Sequence, residues 1–177
     1  MIAVSYPNLK PAIVYNTNEQ HKEVNVVRTN SSSTFHLNRQ DFLLNFLARK
    51  IMYFSGEPLA NGEQLVVLKY APGEEYKPHF DFLDPRVPGL KEEVEVKGQR
   101  IKTVMVYLNE DFEGGETEFV TTEKTFRGPT GDGLLFHNVI KNGAPCLKSR
   151  HAGRPVLKGE KWLAVRWIRE KPLLGLG

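Results

Sequence analysis

Residues 63–82 read EQLVVLKYAPGEEYKPHFDF, and here the chain changes to the two-residue alternation of β-strands. The first eight residues, EQLVVLKY, are rich in branched and aromatic side chains, as strands are, and the turn sequence APGE follows them. The same pattern returns in four later segments: IKTVMVYL (101–108), ETEFV (116–120), DGLLFHNV (132–139) and EKWLAVRWI (160–168). Many short strands with frequent turns predict a mainly β domain, a sandwich or a barrel.

The residues before this β-rich part contain one clear helical pattern, from about Arg39 to Phe54. Asn38 is the expected N-cap and Gly56 the expected stop. One face carries side chains at three- and four-residue steps, and we expect this face to pack against a sheet: Phe42, Leu43, Phe46, Leu47, Lys50 and Phe54.

Length and composition are those of one globular domain. The chain has 177 residues, of which 40% are hydrophobic and 25% charged, and this excludes a largely disordered chain. We expect a single domain over residues 1–177, with helical and loop support in 1–62 and the β-core in 63–170. The one cysteine, Cys146, cannot form an intramolecular disulfide and favours a reducing compartment. A net charge of +3 without a basic cluster argues against a nucleic-acid partner.

The sequence gives no sign of a membrane. No apolar stretch approaches the length of a membrane span, and residues 1–16 lack the basic leader and cleavage site of a signal peptide. We therefore expect a soluble, cytoplasmic protein without a membrane partner. The sequence leaves the oligomeric state open.

The segment from Asp81 to Arg100 is the longest stretch without clear periodicity. Irregular segments of this length in a compact domain are usually lids or binding loops. We expect this loop to close over a bound substrate.

The triplet HFD places His79 and Asp81 two residues apart. Positions i and i+2 of a strand project to the same face, so one imidazole and one carboxylate would lie side by side. A further histidine would complete the two-histidine, one-carboxylate face of non-haem Fe(II) oxygenases, which leaves positions open on the metal. From the residues alone, His137 and His151 both compete to be that third ligand.

Lys161 opens the apolar strand KWLAVRWIRE. A lysine in such a place is costly unless a carboxylate pairs with it. A dicarboxylate co-substrate that chelates the metal at one end would supply that carboxylate at its other end. The hydroxyls of Tyr70 and Thr103 could reach the same carboxylate.

Three blocks together resemble the catalytic domain of the prolyl 4-hydroxylase family of Fe(II)- and 2-oxoglutarate-dependent dioxygenases. They are YAPGEEYKPHFDF (70–82), GQRIKTVMVYLNEDFEGGETEF (98–119) and SRHAGRPVLKGEKWLAVRWI (149–168). The likeness runs from about Arg28 to Ile168, and the blocks agree in order and spacing. It implies a double-stranded β-helix, or jelly-roll, core with a supporting N-terminal helix.

The resemblance also assigns roles to single residues. It implies that His79, Asp81 and His151 ligate the iron; His151 is preferred to His137 because Lys161 follows it at the family spacing. Lys161 would pair with the distal carboxylate of 2-oxoglutarate. The resemblance matches three further residues to this pocket: the hydroxyl residues Tyr70 and Thr103 and the aromatic residue Trp167.

The implied activity is hydroxylation of an unactivated C–H, most directly on a prolyl residue of a peptide or protein, with release of succinate and CO2. The implied cofactors and co-substrates are Fe(II), 2-oxoglutarate and O2, with ascorbate as a further candidate. A free amino acid or small metabolite is the alternative substrate. A non-catalytic jelly-roll binding module is the alternative outside enzymes. Repair of alkylated nucleic acid is disfavoured because the chain lacks a basic patch.

Overall fold

The computed structural model describes residues 1–12, 28–36 and 41–173. Their α-helices are α1 Ile2–Ser5, α2 Phe42–Ser55 and α3 Leu90–Lys97. Their strands are β1 Lys10–Pro11, β2 Ser31–Phe35, β3 Leu65–Tyr70, β4 Tyr76–His79, β5 Arg100–Tyr107, β6 Phe112–Gly114, β7 Thr117–Phe119, β8 Lys124–Phe126, β9 Gly133–His137, β10 His151–Gly153, β11 Val156–Gly159 and β12 Lys161–Arg169. No helix within these ranges is long and apolar enough to cross a bilayer.

Two antiparallel sheets form the predicted jelly-roll core. The major sheet has the strand order β1-β2-β3-β12-β5-β9, and the minor sheet has the order β4-β10-β7-β8. A separate pair joins β6 and β11. The apolar cluster between the sheets takes side chains from both, among them Leu68, Met105 and Leu163 from the major sheet and Phe119 from the minor sheet. The expectation of a mainly β jelly-roll fold is confirmed.

Helix α2 covers the outer face of the major sheet. Its Leu44, Ile51 and Met52 pack against a second cluster that includes Val104 and Ala164. Alternation along β12 explains why one strand serves both layers, since Leu163 and Val165 face the minor sheet while Ala164 and Ile168 face the helix.

The predicted packing face of α2 is wrong, although the helix itself is confirmed. The buried residues are Leu44, Ala48, Ile51, Met52 and Ser55. Five residues of the predicted face are exposed instead, and only Leu47 packs against the sheet cluster: Phe42, Leu43, Phe46, Lys50 and Phe54. Both sides of this helix are apolar, so periodicity alone could not choose between them; the small Ala48, fully buried, lets the backbone approach the sheet.

The ends of α2 are set by local chemistry. Asp41 is the N-cap, and its carboxylate accepts a hydrogen bond from the Leu44 amide at 2.9 Å. Gly56 ends the helix in the left-handed conformation at φ 73°, as predicted. The predicted cap Asn38 and the start at Arg39 lie outside the described residues.

Arg166 fastens α2 and the following turn to β12. The side chain is 1% exposed and donates to the carbonyls of Ala48, Gly62 and Glu63. A Cβ at Gly62 would lie 2.4 Å from the guanidinium, so this position needs glycine. Burial lowers the pKa of Arg166 to about 10, which leaves it charged at neutral pH.

The segment from Asp81 to Arg100, predicted as an irregular loop, contains α3. The helix has Glu92 and Glu93 in its first turn and Lys97 in its last, as the helix dipole favours, but no apolar stripe by which sequence could reveal it. The Gln99 side chain bonds both the amide and the carbonyl of Leu83, at 2.8 and 2.7 Å, and so closes the base of the segment. Its role as a lid stays a prediction.

Candidate active site

Strand pairing brings three donor groups together. His79 ends β4 and His151 begins β10, and the two residues lie opposite each other in the antiparallel pair. Asp81 follows β4 by two residues, and its carboxylate lies near both rings. Its Oδ1 is 3.7 Å from His79 Nε2 and its Oδ2 is 3.8 Å from His151 Nε2. One ligand atom from each residue lies within 4.8 Å of the others, a spacing that can hold one metal ion.

The backbone fixes which nitrogen of each ring can bind a metal. His79 Nδ1 is 2.8 Å from the Lys77 carbonyl and His151 Nδ1 is 2.9 Å from the Ser149 carbonyl. A carbonyl oxygen only accepts hydrogen bonds, so each Nδ1 carries the proton and each Nε2 presents a lone pair to Asp81. Two lone pairs facing a carboxylate repel one another unless a cation lies between them. The donor set therefore fits Fe(II).

The protonation states of His79 and Asp81 are also those that suit metal binding. Burial, helped by the neighbouring His151, lowers the pKa of His79 to about 3, so the ring is neutral at physiological pH. Burial alone would raise the pKa of Asp81, but the imidazoles, Arg100 and the Thr103 hydroxyl outweigh it and lower that pKa. A neutral imidazole and an ionised carboxylate are the forms that bind metal.

Thr103 lies behind Asp81 and not beside Lys161. Its hydroxyl donates to Asp81 Oδ2 at 2.7 Å and accepts from Asn138 Nδ2 at 2.9 Å. Thr103 and Asn138 are both fully buried. A hydroxyl can donate only one hydrogen bond, and the Thr103 hydroxyl donates it to Asp81. This geometry therefore does not fit the expected contact between Thr103 and the distal carboxylate.

One cavity joins the three donors to Lys161. Lys161 is 1% exposed, and its ammonium donates to the Gly115 carbonyl at 2.5 Å. Among the described residues no carboxylate forms an ion pair with it, and burial lowers its pKa to about 7, an effect that Glu116 only partly offsets. A buried ammonium without a counter-ion is unfavourable, and a ligand carboxylate would correct it.

Two hydroxyl residues line the cavity near this ammonium. Tyr70 lies opposite Lys161 in the pairing of β3 with β12, and its ring centre is 5.3 Å from Nζ. Burial raises the pKa of Tyr70 to about 12, so the phenol keeps its proton and can donate. Thr117 of β7 supplies the second hydroxyl, 3.2 Å from that of Tyr107. Sequence reasoning missed Thr117, although its strand ETEFV was predicted.

Aromatic rings and cations border the same cavity. Trp167 is one of the residues that line it, and the Arg100 guanidinium lies 4.2 Å from the indole centre. Tyr76 stacks on His79 with ring centres 3.5 Å apart, and Arg28 lies 4.6 Å from the Tyr76 ring centre. The Trp167 indole nitrogen is buried and has no hydrogen-bond partner among the described residues.

The competing candidate for the third metal ligand lies away from the other donor groups. His137 ends β9 on the major sheet, opposite Lys102, and its side chain is exposed. The described acidic, cysteine and histidine residues give one group able to hold a metal, and His137 is not part of it.

Comparison with known proteins agrees with this geometry. Residues 65–169 match the family described as the 2OG-Fe(II) oxygenase superfamily. The chain is 41% identical over 115 residues to a putative prolyl 4-hydroxylase of Acanthamoeba polyphaga mimivirus, covering 64% of this chain and 48% of that protein. It is 34% identical over 183 residues to prolyl 4-hydroxylase 1 of Arabidopsis thaliana, covering 96% and 63%. The chain thus spans about half to three fifths of these curated relatives.

A solved structure is also similar. The viral collagen prolyl hydroxylase of Paramecium Bursaria Chlorella virus-1, in its 2-oxoglutarate complex, superposes with a TM-score of 0.65 at 28% identity, over 80% of this chain and 79% of that one. The name of the matching family contains both the metal and the co-substrate that the sequence predicts. The predictions of Fe(II) and 2-oxoglutarate are confirmed.

Proposed function

We propose that this chain, which belongs to the 2OG-Fe(II) oxygenase superfamily, hydroxylates a prolyl residue of a peptide or protein and converts 2-oxoglutarate and O2 to succinate and CO2. One observation carries the proposal. A single cavity has His79, Asp81 and His151, which could hold a metal ion, at one end, and at the other the ammonium of Lys161, which forms no ion pair with a described carboxylate. A keto-diacid is charged at both ends and suits such a cavity.

The side chains that line the cavity have distinct roles in this proposal. His79, Asp81 and His151 hold Fe(II), which supplies the oxidising chemistry with O2 and the co-substrate. Lys161 pairs with the distal carboxylate of 2-oxoglutarate, and Tyr70 donates a hydrogen bond to it. Thr117 stands where Thr103 was expected and assists Tyr70. Apolar walls, among them Leu68, Met105, Leu163 and Val165, exclude water from the reacting centre.

The rim supports a peptide substrate. The buried Trp167 indole N–H has no acceptor among the described residues, and a peptide carbonyl would provide one. The aromatic ring of Tyr76 and the guanidinium groups of Arg28 and Arg100 give flat surfaces against which an extended, proline-rich chain can lie. The names of the similar proteins, prolyl 4-hydroxylases and a collagen prolyl hydroxylase, point to the same substrate class.

The direct test is an assay with Fe(II), 2-oxoglutarate and ascorbate in air. The substrates are a proline-rich peptide, the same peptide with each proline replaced by alanine, and free proline. We expect the proline-rich peptide alone to gain the mass of one oxygen atom, with one succinate released for each oxygen. Oxygen transfer to free proline and not to the peptide would assign the chain to small-molecule hydroxylation. Absence of succinate under all conditions would contradict catalysis.

We infer a further role for Thr103 and Asn138, which is to orient the Asp81 carboxylate. The Thr103 hydroxyl donates a hydrogen bond to Asp81 Oδ2. The Asn138 amide donates a hydrogen bond to the threonine hydroxyl, which orients the hydroxyl hydrogen toward Asp81. Partners behind metal ligands typically contribute 10–100-fold to metal affinity. Thr103→Val removes the hydroxyl with little change in shape and should weaken Fe(II) binding by about that factor.

The matched control is Thr103→Ser, which keeps the hydroxyl and should bind Fe(II) nearly as the wild type does. Anaerobic competition with a colorimetric chelator measures the affinity, and circular dichroism checks the fold of both variants. A Thr103→Val variant with unchanged Fe(II) affinity but weaker 2-oxoglutarate binding would return Thr103 to the co-substrate role that the family resemblance implied.

A further inference from the structure

Helix α2 presents an apolar surface to solvent. We call the exposed residues of the helix its outer face: Phe42, Leu43, Phe46, Arg49, Lys50, Tyr53 and Phe54. The exposed fractions of its five large apolar residues are 77% for Phe42, 61% for Leu43, 52% for Phe46, 88% for Tyr53 and 55% for Phe54. Single exposed apolar residues are ordinary, but a contiguous set of this size usually marks an interaction surface.

The elements formed by the described residues leave most of the outer face uncovered. The opposite side of α2 already packs on the major sheet through Leu44, Ala48, Ile51 and Met52, and Arg166 fixes the Ala48 carbonyl. The metal-binding residues belong to the minor sheet or to the loop after β4, on the other side of the major sheet. The outer face is therefore separate from the active site.

We propose that two copies of this chain associate through their α2 outer faces, packed antiparallel about a two-fold axis. With about 200 Å² for a fully exposed large side chain, the exposed fractions give on the order of 650 Å² of apolar surface per copy. A standard stable interface uses about 800 Å² per partner, so these residues supply most of what a dimer needs.

The composition of the outer face also favours a second copy. It contains three phenylalanines, a tyrosine and an arginine, and it has no aspartate or glutamate. Interface cores are rich in aromatic residues and arginine and poor in acidic residues. Two-fold homodimers are the commonest soluble assemblies, and in them the same surface must be complementary to itself.

An antiparallel crossing near residue 48 meets that requirement. It places Phe42 of one copy opposite Phe54 of the second, and Leu43 opposite Tyr53 of the second. It also places each Lys50 opposite a Phe46, where the ammonium can lie over the ring. Within one helix Lys50 Nζ is already 5.5 Å from the Phe46 ring centre, so the lysine needs little movement to make this contact.

The effect of salt on binding distinguishes a second copy of this chain from an anionic partner. Arg49 and Lys50 of two copies repel each other, so added salt should strengthen the dimer by screening like charges. A bilayer of anionic lipid is the other surface that an aromatic and basic helix fits, and its binding should weaken as salt rises.

The test is sedimentation equilibrium of the full chain over a range of protein and salt concentrations. We expect a monomer–dimer equilibrium that tightens with salt and that Phe46→Asp weakens by about 30-fold or more, as loss of a central anchor does. Leu157→Asp is the matched control, because Leu157 is 73% exposed on β11, outside α2, and its loss should leave the dimer intact. Hydroxylation by both variants should equal that of the wild type.

The register has its own test. In a Cys146→Ser background, Phe46→Cys and Lys50→Cys variants are mixed and oxidised. We expect the mixed disulfide dimer to form faster than a disulfide dimer of either variant alone. A wild type that stays monomeric at every concentration, or a dimer that Phe46→Asp leaves unchanged, would overturn the proposal. Salt-sensitive binding of a monomer to phosphatidylserine vesicles, lost in Phe46→Asp, would also overturn it and assign the outer face to a bilayer.

Discussion

Lys161→Met is expected to abolish productive 2-oxoglutarate binding while leaving Fe(II) binding intact. Lys161 is the buried cation at the far end of the cavity, and no described carboxylate neutralises it in the free protein. Loss of a desolvated charge partner costs on the order of 2–5 kcal/mol, or about 30-fold to several thousand-fold in affinity. Anaerobic titration calorimetry of the metal-loaded protein measures the loss. Equal affinities in the variant and the wild type would remove Lys161 from its assigned role.

The same substitution is expected to stabilise the ligand-free protein. Burial lowers the pKa of Lys161 from 10.5 to about 7, so the folded protein bears an unfavourable charge of on the order of 4 kcal/mol at and below pH 7. Between pH 7 and 10.5 the folded lysine loses its proton before the unfolded one does. The unfolded chain then binds more protons, and the stability of the wild type rises with pH through this window.

Thermal melts at a series of pH values test whether the stability of the wild type rises with pH as predicted. The Tm advantage of Lys161→Met over the wild type should be largest near pH 6–7 and should shrink as pH approaches 10. Lys158→Met is the control for the change of residue type, because Lys158 is 77% exposed and paired with Glu113 at the surface. It should change neither the Tm profile nor 2-oxoglutarate binding. A destabilised Lys161→Met variant would contradict the uncompensated charge.

Asp81→Asn is expected to abolish Fe(II) binding. It removes the one anionic ligand while keeping the size of the side chain, and the loss should exceed the 10–100-fold that an outer partner contributes. Saturating metal stabilises a folded protein by about 2.7 kcal/mol at a hundred times its dissociation constant. The Tm increase that Fe(II) gives the wild type under anaerobic conditions should therefore vanish in this variant.

His137→Ala is the control for that experiment, because His137 was the competing ligand and is exposed on β9. It should keep the full Fe(II)-dependent Tm increase. The ligand set would be wrong if Asp81→Asn kept the increase or if His137→Ala lost it.

The grouping of His79 with Asp81 could be predicted because it is largely local. His79 ends β4 and Asp81 lies two residues further along the chain, so strand alternation was enough to predict their proximity although Asp81 lies just outside the strand. His151 required the family spacing, since only the pairing of β4 with β10 brings it opposite His79. Lys161 was visible as a charge at the start of an apolar strand.

The second hydroxyl could not be predicted in the same way. Thr103 and Thr117 both lie in predicted strands, and alternation can turn either one inward. Thr103 belongs to β5 of the major sheet, where its hydroxyl meets Asp81, while Thr117 belongs to β7 of the minor sheet and lines the cavity of Lys161. Which of them meets the co-substrate depends on how the two sheets face each other, and that is a long-range property.

The same reason explains the error on α2. Apolar residues surround most of this helix, and the buried face was decided by tertiary contacts: the small Ala48 of the helix lies against the sheet, and Arg166 of β12 donates a hydrogen bond to the Ala48 carbonyl. The ion pairs of Glu63 could not be predicted for a similar reason. Glu63 binds both Arg100 and Arg169, and the three residues come from well-separated parts of the chain.

Anaerobic titration of the protein with Fe(II) and then 2-oxoglutarate tests the central claim most directly. We predict one Fe(II) per chain and a visible charge-transfer absorption when 2-oxoglutarate is added, absent in His79→Ala and shifted to much higher 2-oxoglutarate in Lys161→Met. A wild type that binds Fe(II) but gives no such absorption, or a His79→Ala variant that gives the full absorption, would contradict a single iron held by His79, Asp81 and His151 with the co-substrate anchored on Lys161.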